Sequence, residues 1–302
     1  MSSIVLYCSR TLLALRHSVT FVVDNVLRKL TVLHVVLFVL TFFSTLIAGA
    51  LQKGINPLDE PGRIYEGLPF AITLLTILMA HELAHYVASI KHDTIATLPY
   101  FIPGPSIFGT FGAFIKMKSP ITTRTALIDI GASGPIAGFI VSLLAVVCGL
   151  FYSDVVAVTE GSAFDLGDSL LFYLLTKIIV GTPPEGYDIL LSPVAFAGWI
   201  GFLVTSLNLL PIGQLDGGHI VYAIETNVHK WISRTLIVAL GISGIWLWNG
   251  WLTWTLLLII LGINHPPVLF SDIPLQPSRK KTALLSLSIF ILTFIPQPFK
   301  MP

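Results

Sequence analysis

The sequence predicts an all-α polytopic membrane protein of about six to seven transmembrane helices, with a re-entrant β-hairpin or loop after the second. Three observations carry that expectation: a charge-poor composition, a succession of apolar runs, and one long Pro- and Gly-rich interruption. Of 302 residues, 54% are hydrophobic and 11% charged, with a mean hydropathy of +0.85. Such values exclude an ordinary soluble domain.

Taken in order, Thr31–Ala50 is an uncharged run long enough to cross a bilayer, and Leu68–Ile90 is the second. Ala126–Tyr152 and Pro193–Leu210 follow, then the shorter Leu236–Trp248, Trp251–Ile263 and Ala283–Ile295. With a cytoplasmic N-terminus, only Lys53, Arg63, Lys177 and Lys300 of the 17 Lys and Arg residues fall outside. That bias supports both the span count and the orientation. Residues 1–30 scatter Arg10, Arg16 and Arg28 among apolar residues and read as a cytoplasmic interfacial segment. Residues 31–302 then form a single membrane-embedded domain. The acidic segment Ser153–Leu191 lies outside, its Leu170–Val180 stretch a helix resting on the outer surface. The topology separates Cys8 from Cys148, so neither a disulfide nor a cysteine metal site is expected. A net charge of +1, without basic and aromatic interleaving, gives no reason to invoke nucleic acid.

Chemistry concentrates in the second run, which contains His81-Glu82-Leu83-Ala84-His85. Helical residues four apart share a face, with ~6 Å between side-chain roots, so both imidazoles can reach one tetrahedral metal. Glu82, next along, can face an open coordination position. Composition alone yields such a pattern on the order of once per hundred chains of this kind. Two histidines and a carboxylate within hydrocarbon are costly, however, and mark a functional candidate over two merely satisfied histidines.

A catalytic zinc takes three protein ligands, so a third is needed. Asp216 meets the requirement of equal membrane depth. It lies in Asn208-Leu-Leu-Pro-Ile-Gly-Gln-Leu-Asp216-Gly-Gly-His219, where Pro211, Gly213, Gly217 and Gly218 break the helix. The plainer reading of Asp216 is a turn residue at a helix end. Asp129, His219 and Glu225 are weaker candidates.

The segment Asp93–Ser119 carries Pro99, Pro103, Gly104, Pro105, Gly109 and Gly112 and is too broken to span. Its Thr110–Ile115 stretch favours strand, which suggests a hairpin whose edge pairs with an extended substrate. The alternative is a connecting loop. Gly109, Phe111, Gly112 and Phe114 are its candidate substrate-binding residues. Gly131, Gly134 and Gly138 read as a helix-packing stripe. Trp246, Trp248, Trp251 and Trp254 read as an interfacial belt.

Together, the pentad and the Asn208–Gly217 segment ending Leu-Asp-Gly resemble the site-2 protease family of intramembrane zinc metalloproteases. Gly109-Thr-Phe-Gly-Ala-Phe-Ile115 and Gly131-Ala-Ser-Gly-Pro135-Ile-Ala-Gly138 are similar to its bacterial and plastid members. The resemblance implies one Zn2+ per chain on His81, His85 and Asp216, with Glu82 as general base. It also implies that Asn208 sits nearby and polarises the substrate carbonyl. The substrate would be a single-span membrane protein, met within the lipid bilayer and cut near the cytoplasmic side. The sequence resembles a minimal member, without the PDZ domain or CBS pair that many carry. A bacterial inner membrane is the default expectation. Two alternatives use the same residues without proteolysis: a zinc-bound scaffold and a metal-ion transporter.

Overall fold

Each apolar run folds as a helix, and Pro and Gly mark several of the breaks, as in the hairpin segment and the loop before Asp216. The computed structural model describes residues 29–157 and 165–300. The expected interfacial segment lies almost wholly outside the described residues. Helix α1 is Val32–Gln52, α2 is Leu68–Lys91 and α3 is Arg124–Leu150. Among the described residues these are long and apolar enough to cross a membrane, α2 being continuous with a 3-10 turn at Pro61–Gly67. The rest are α4 (Leu170–Ile179), α5 (Pro193–Asn208), α6 (Asp216–Ile224), α7 (Thr226–Trp246), α8 (Gly250–Leu261) and α9 (Pro277–Thr293). Three helices thus reach full span length and hydropathy where the apolar runs suggest six to seven, because α5, α8 and α9 are shorter and α7, though 21 residues long, opens with a polar stretch that includes Lys230 and Arg234.

The class is mostly helical rather than all-α, since three two-stranded antiparallel sheets accompany the helices. Tyr100–Pro103 (β1) pairs with Thr110–Phe114 (β2), Asp154–Ala157 (β3) with Tyr187–Leu190 (β5), and Asp165–Leu166 (β4) with Phe299–Lys300 (β6). The Pro- and Gly-rich segment is therefore a hairpin and not a plain loop. It docks on α1 through a stacked His34–Tyr100 pair at 4.2 Å, an edge contact of Phe38 with Phe101, and a Ser44 hydroxyl that donates to Gly109 O at 2.6 Å.

Helix α3 is central, packing against α2, α5, α6 and α9. Thr123 caps it, its hydroxyl accepting from the Ala126 amide at 3.1 Å. Near its start, Asp129 binds Arg279 of α9 through two bonds of 2.6 and 3.0 Å, and His92 at the end of α2 at 2.9 Å. Around α3 lies an apolar core that includes Leu74, Val146, Trp199 and Phe202.

Helix α4 forms over the expected stretch, with Phe172 buried in the core and its other residues exposed or half-buried. One surface expectation needs correction. Trp251 does not belong to a surface belt: it is 1% exposed, and its indole N–H donates to Pro296 O at 2.8 Å. A buried indole needs such a partner, and the turn before β6 provides it. Trp246 does face outward.

Candidate metal centre

Helix α2 turns His81, Glu82 and His85 toward α3, and all three are buried. The two Nε2 atoms lie 3.0 Å apart. Asp216, the first residue of α6, brings Oδ2 to 3.3 Å from each of them. One donor atom from each residue falls within 4.8 Å of the others.

The donor chemistry suits a cation. His85 Nδ1 is 2.7 Å from the carbonyl oxygen of Ile130, which can only accept. A proton on Nδ1 meets that carbonyl and leaves Nε2 to face the second imidazole and the carboxylate. A backbone carbonyl that fixes the tautomer in this way is the usual support of a metal-binding histidine. Two ring nitrogens and a carboxylate oxygen converging at about 3 Å, among buried side chains, make a site that a cation can fill.

The other candidates for a third ligand are engaged elsewhere. Asp129 is held by Arg279 and His92, and Glu225 caps α7 by accepting from the Asn227 amide at 3.4 Å. His219 sits one turn along α6 and contacts His265 at 2.6 Å. Asp216 itself is not a bare turn residue. It opens a nine-residue helix that the apolar pattern did not predict, in a first turn where a carboxylate is electrostatically favoured. Asn208, the last residue of α5, places Nδ2 at 3.5 Å from His81 Nε2.

The glycine stripe of α3 does more than pack helices. A Cβ on Gly134 would overlap the His85 ring, and one on Gly138 would stand 3.1 Å from His81 Nδ1. At Gly131 it would lie 3.1 Å from Asp216 O. Gly134 and Gly138 are the wall against which both imidazoles rest, and Gly131 lets the Asp216 backbone approach α3. Sequence reasoning missed that role because their spacing also serves close helix packing.

The hairpin brings its second strand to this region. The Glu82 carboxylate is turned to the backbone amide of Ile115, just past β2. Phe111 and Phe114 are exposed, and Gly112, at φ +99°, has open space where a side chain would project. Gly109 differs from the other hairpin candidates. At φ +74° it lies against the α1 backbone, where a Cβ would come within 2.5 Å of Thr45 Cα, so it docks the hairpin.

A helical membrane protein that joins two histidines from one helix to an aspartate from another has the layout of an intramembrane metallopeptidase. The profile of Peptidase family M50 matches residues 69–247, which include the pentad, the hairpin, α3 and Asp216. The chain belongs to that family. It is 30% identical over 258 residues to the probable zinc metalloprotease EGY2, chloroplastic, of Arabidopsis thaliana, covering 83% of this chain and 46% of the relative. It is 31% identical over 242 residues to the probable zinc metalloprotease EGY1, chloroplastic, of the same plant, covering 76% and 43%. With EGY2 of Oryza sativa subsp. indica it shares 27% identity over 272 residues, covering 86% and 49%. The chain spans about half the length of these curated relatives. Their names place them in chloroplasts and lend no support to a bacterial inner membrane.

Proposed function

We propose that this chain is an intramembrane zinc metalloendopeptidase, cutting peptide bonds in or near transmembrane segments of single-span membrane proteins. The convergence of His81, His85 and Asp216 on one point carries the reading. These residues would hold one zinc ion, as the relatives' names suggest. When bound, zinc supplies a Lewis acid that polarises a peptide carbonyl and lowers the pKa of water toward ~7.

The chain's own residues do the rest. Glu82, one position along from His81 and buried with it, takes a proton from the attacking water and returns it to the leaving amine. Asn208 points its amide at the same centre and donates to the substrate carbonyl. A substrate helix hides its carbonyls in its own hydrogen bonds and has to be held extended. Lys116 exchanges bonds with Thr97 on the inner side of the hairpin, at 3.0 and 2.9 Å. Main-chain groups alternate along an extended strand, so Ile115, whose amide meets Glu82, and Ala113 turn theirs to the outer side. An unwound substrate strand adds to that edge, between Phe111 and Phe114. The excess of basic residues at this end supports a site nearer the cytoplasmic side of its membrane.

Cleavage of a single-span reporter in proteoliposomes tests the reading against its alternatives. Wild type should bind zinc and cut; Glu82→Gln should bind zinc and not cut. Cleavage that persists in Glu82→Gln refutes the assignment of the base. Zinc without cleavage in wild type would favour the scaffold, and zinc crossing the vesicle wall would favour the transporter.

A further inference from the structure

We infer that Arg124 is a positioning residue for the third metal ligand, acting through α6 from its far end; this rests on the zinc reading above. The Arg124 guanidinium donates through Nε to Ala223 O at 2.6 Å and through Nη2 to Ile224 O. Those carbonyls belong to the last turn of α6, where no intrahelical amide remains to satisfy them. Asp216 is the first residue of the same helix.

The two helices are matched in length between these contacts. Arg124 and Gly131 are seven residues apart on α3, a rise of about 10.5 Å, and Ala223 and Asp216 are seven apart on α6. Arg124 grips the end of α6 while Gly131 lies against the Asp216 backbone at its start. The helices run antiparallel, so the two contacts fix their register. Ile130, the neighbour of Gly131, accepts from His85. One stretch of α3 therefore sets Asp216 and His85 relative to each other, and Arg124 is its charged anchor.

Helix energetics do not explain an arginine at this place. Arg124 begins α3, where the helix dipole disfavours a positive charge. Its charge instead meets the negative end of α6, and two planar donors match two adjacent carbonyls. Sliding α6 by one residue would carry Asp216 about 1.5 Å along its axis, several times the ~0.2 Å tolerance of a zinc site.

The test is zinc affinity, by competition with a chelator in detergent, with the visible spectrum of the cobalt-substituted protein as a second readout. Arg124→Gln should weaken zinc binding by about 10- to 100-fold, the usual effect of losing an outer support. It should also alter the cobalt bands, while thermal unfolding stays cooperative. Arg124→Lys keeps the charge and one donor and should fall between Arg124→Gln and wild type. If Arg124→Gln does not fold, the comparison rests on Arg124→Lys: weakened zinc and altered bands support the inference, unchanged values overturn it. Arg63→Gln, in an exposed ion-pair group between α1 and α2, is the control and should match wild type. Wild-type affinity and spectrum in Arg124→Gln would overturn the positioning role alone, whereas a wild-type protein that binds no zinc would overturn the zinc reading itself.

Discussion

Replacing Gly134 by alanine should damage the centre far more than the same change at Gly138. In a helix interior, Gly→Ala alone is stabilising by roughly 0.5–1 kcal/mol. At Gly134 the new Cβ would stand 2.5 Å from His85 Cδ2 and Cε1. Carbon atoms need about 3.5–4.0 Å, so the ring or the helix has to move by about 1 Å. The ring is already held by the 2.7 Å bond to Ile130 O, and zinc coordination tolerates ~0.2 Å. A displacement of about 1 Å costs on the order of 100-fold in a preorganised site, or about 2.7 kcal/mol. At Gly138 the added atom is 3.1 Å from His81 Nδ1 and 3.4 Å from its Cβ, which a shift of tenths of an ångström relieves. Less than a tenfold loss is expected there. Chelator competition gives the zinc affinities, reporter cleavage the activities, and thermal unfolding confirms the fold. Equal losses in the two variants, or a greater loss at Gly138, would refute the claim that α3 shapes the centre through its glycines.

The loop between Asn208 and Asp216 should depend on Ser233 of α7, whose hydroxyl is 3.3 Å from the Gly213 amide and 3.2 Å from Pro211 O. Ser233→Ala leaves both backbone groups without that partner and should lower stability by about 1–3 kcal/mol, read as a fall in the unfolding midpoint. His265, outside the apolar runs, is pushed down to about 4, chiefly by burial. A histidine kept neutral in the fold contributes stability that is present above its unfolded pKa of about 6.5 and lost as pH falls toward about 4. His265→Gln should therefore flatten the acid side of the stability curve; an unchanged curve would count against that reading.

Helix positions were legible because an apolar run is its own signal. The starts and ends of α1, α2 and α3 fall within two residues of the expected runs. The pentad was legible for a related reason: its spacing is the helix repeat, and ionisable residues among apolar neighbours are costly enough to mark a candidate site. Less legible were features that depend on a distant segment. The Asp129–Arg279 pair joins residues 150 apart, and the indole of Trp251 finds its acceptor 45 residues on. Neither bond has a local pattern. The hairpin fell between these cases: Pro and Gly ruled out a spanning helix, yet its register and its docking on α1 required the fold.

Asp216-Gly-Gly illustrates why a local motif misleads when its partner is remote. The sequence invites a turn, in which glycine provides positive φ. Neither Gly217 nor Gly218 has positive φ; both are helical residues of α6. Their smallness serves distance instead. A Cβ on Gly218 would come within 2.5 Å of Gly213 O and 2.8 Å of Ile212 O, and one on Gly217 would overlap Leu209 O. The two glycines let α6 begin directly over the loop that precedes it, so Asp216 projects from a helix and not from a mobile turn. That loop has its own polar backbone to satisfy amid apolar helices, and α7 provides for it: Ser233 serves Pro211 and Gly213, and His229 Nε2 donates to Gly213 O at 3.1 Å. A side chain built on a helix holds its geometry better than one on a loop. The two glycines therefore stand here for their lack of side chains, and a reading from turn propensity gets those residues right for the wrong reason.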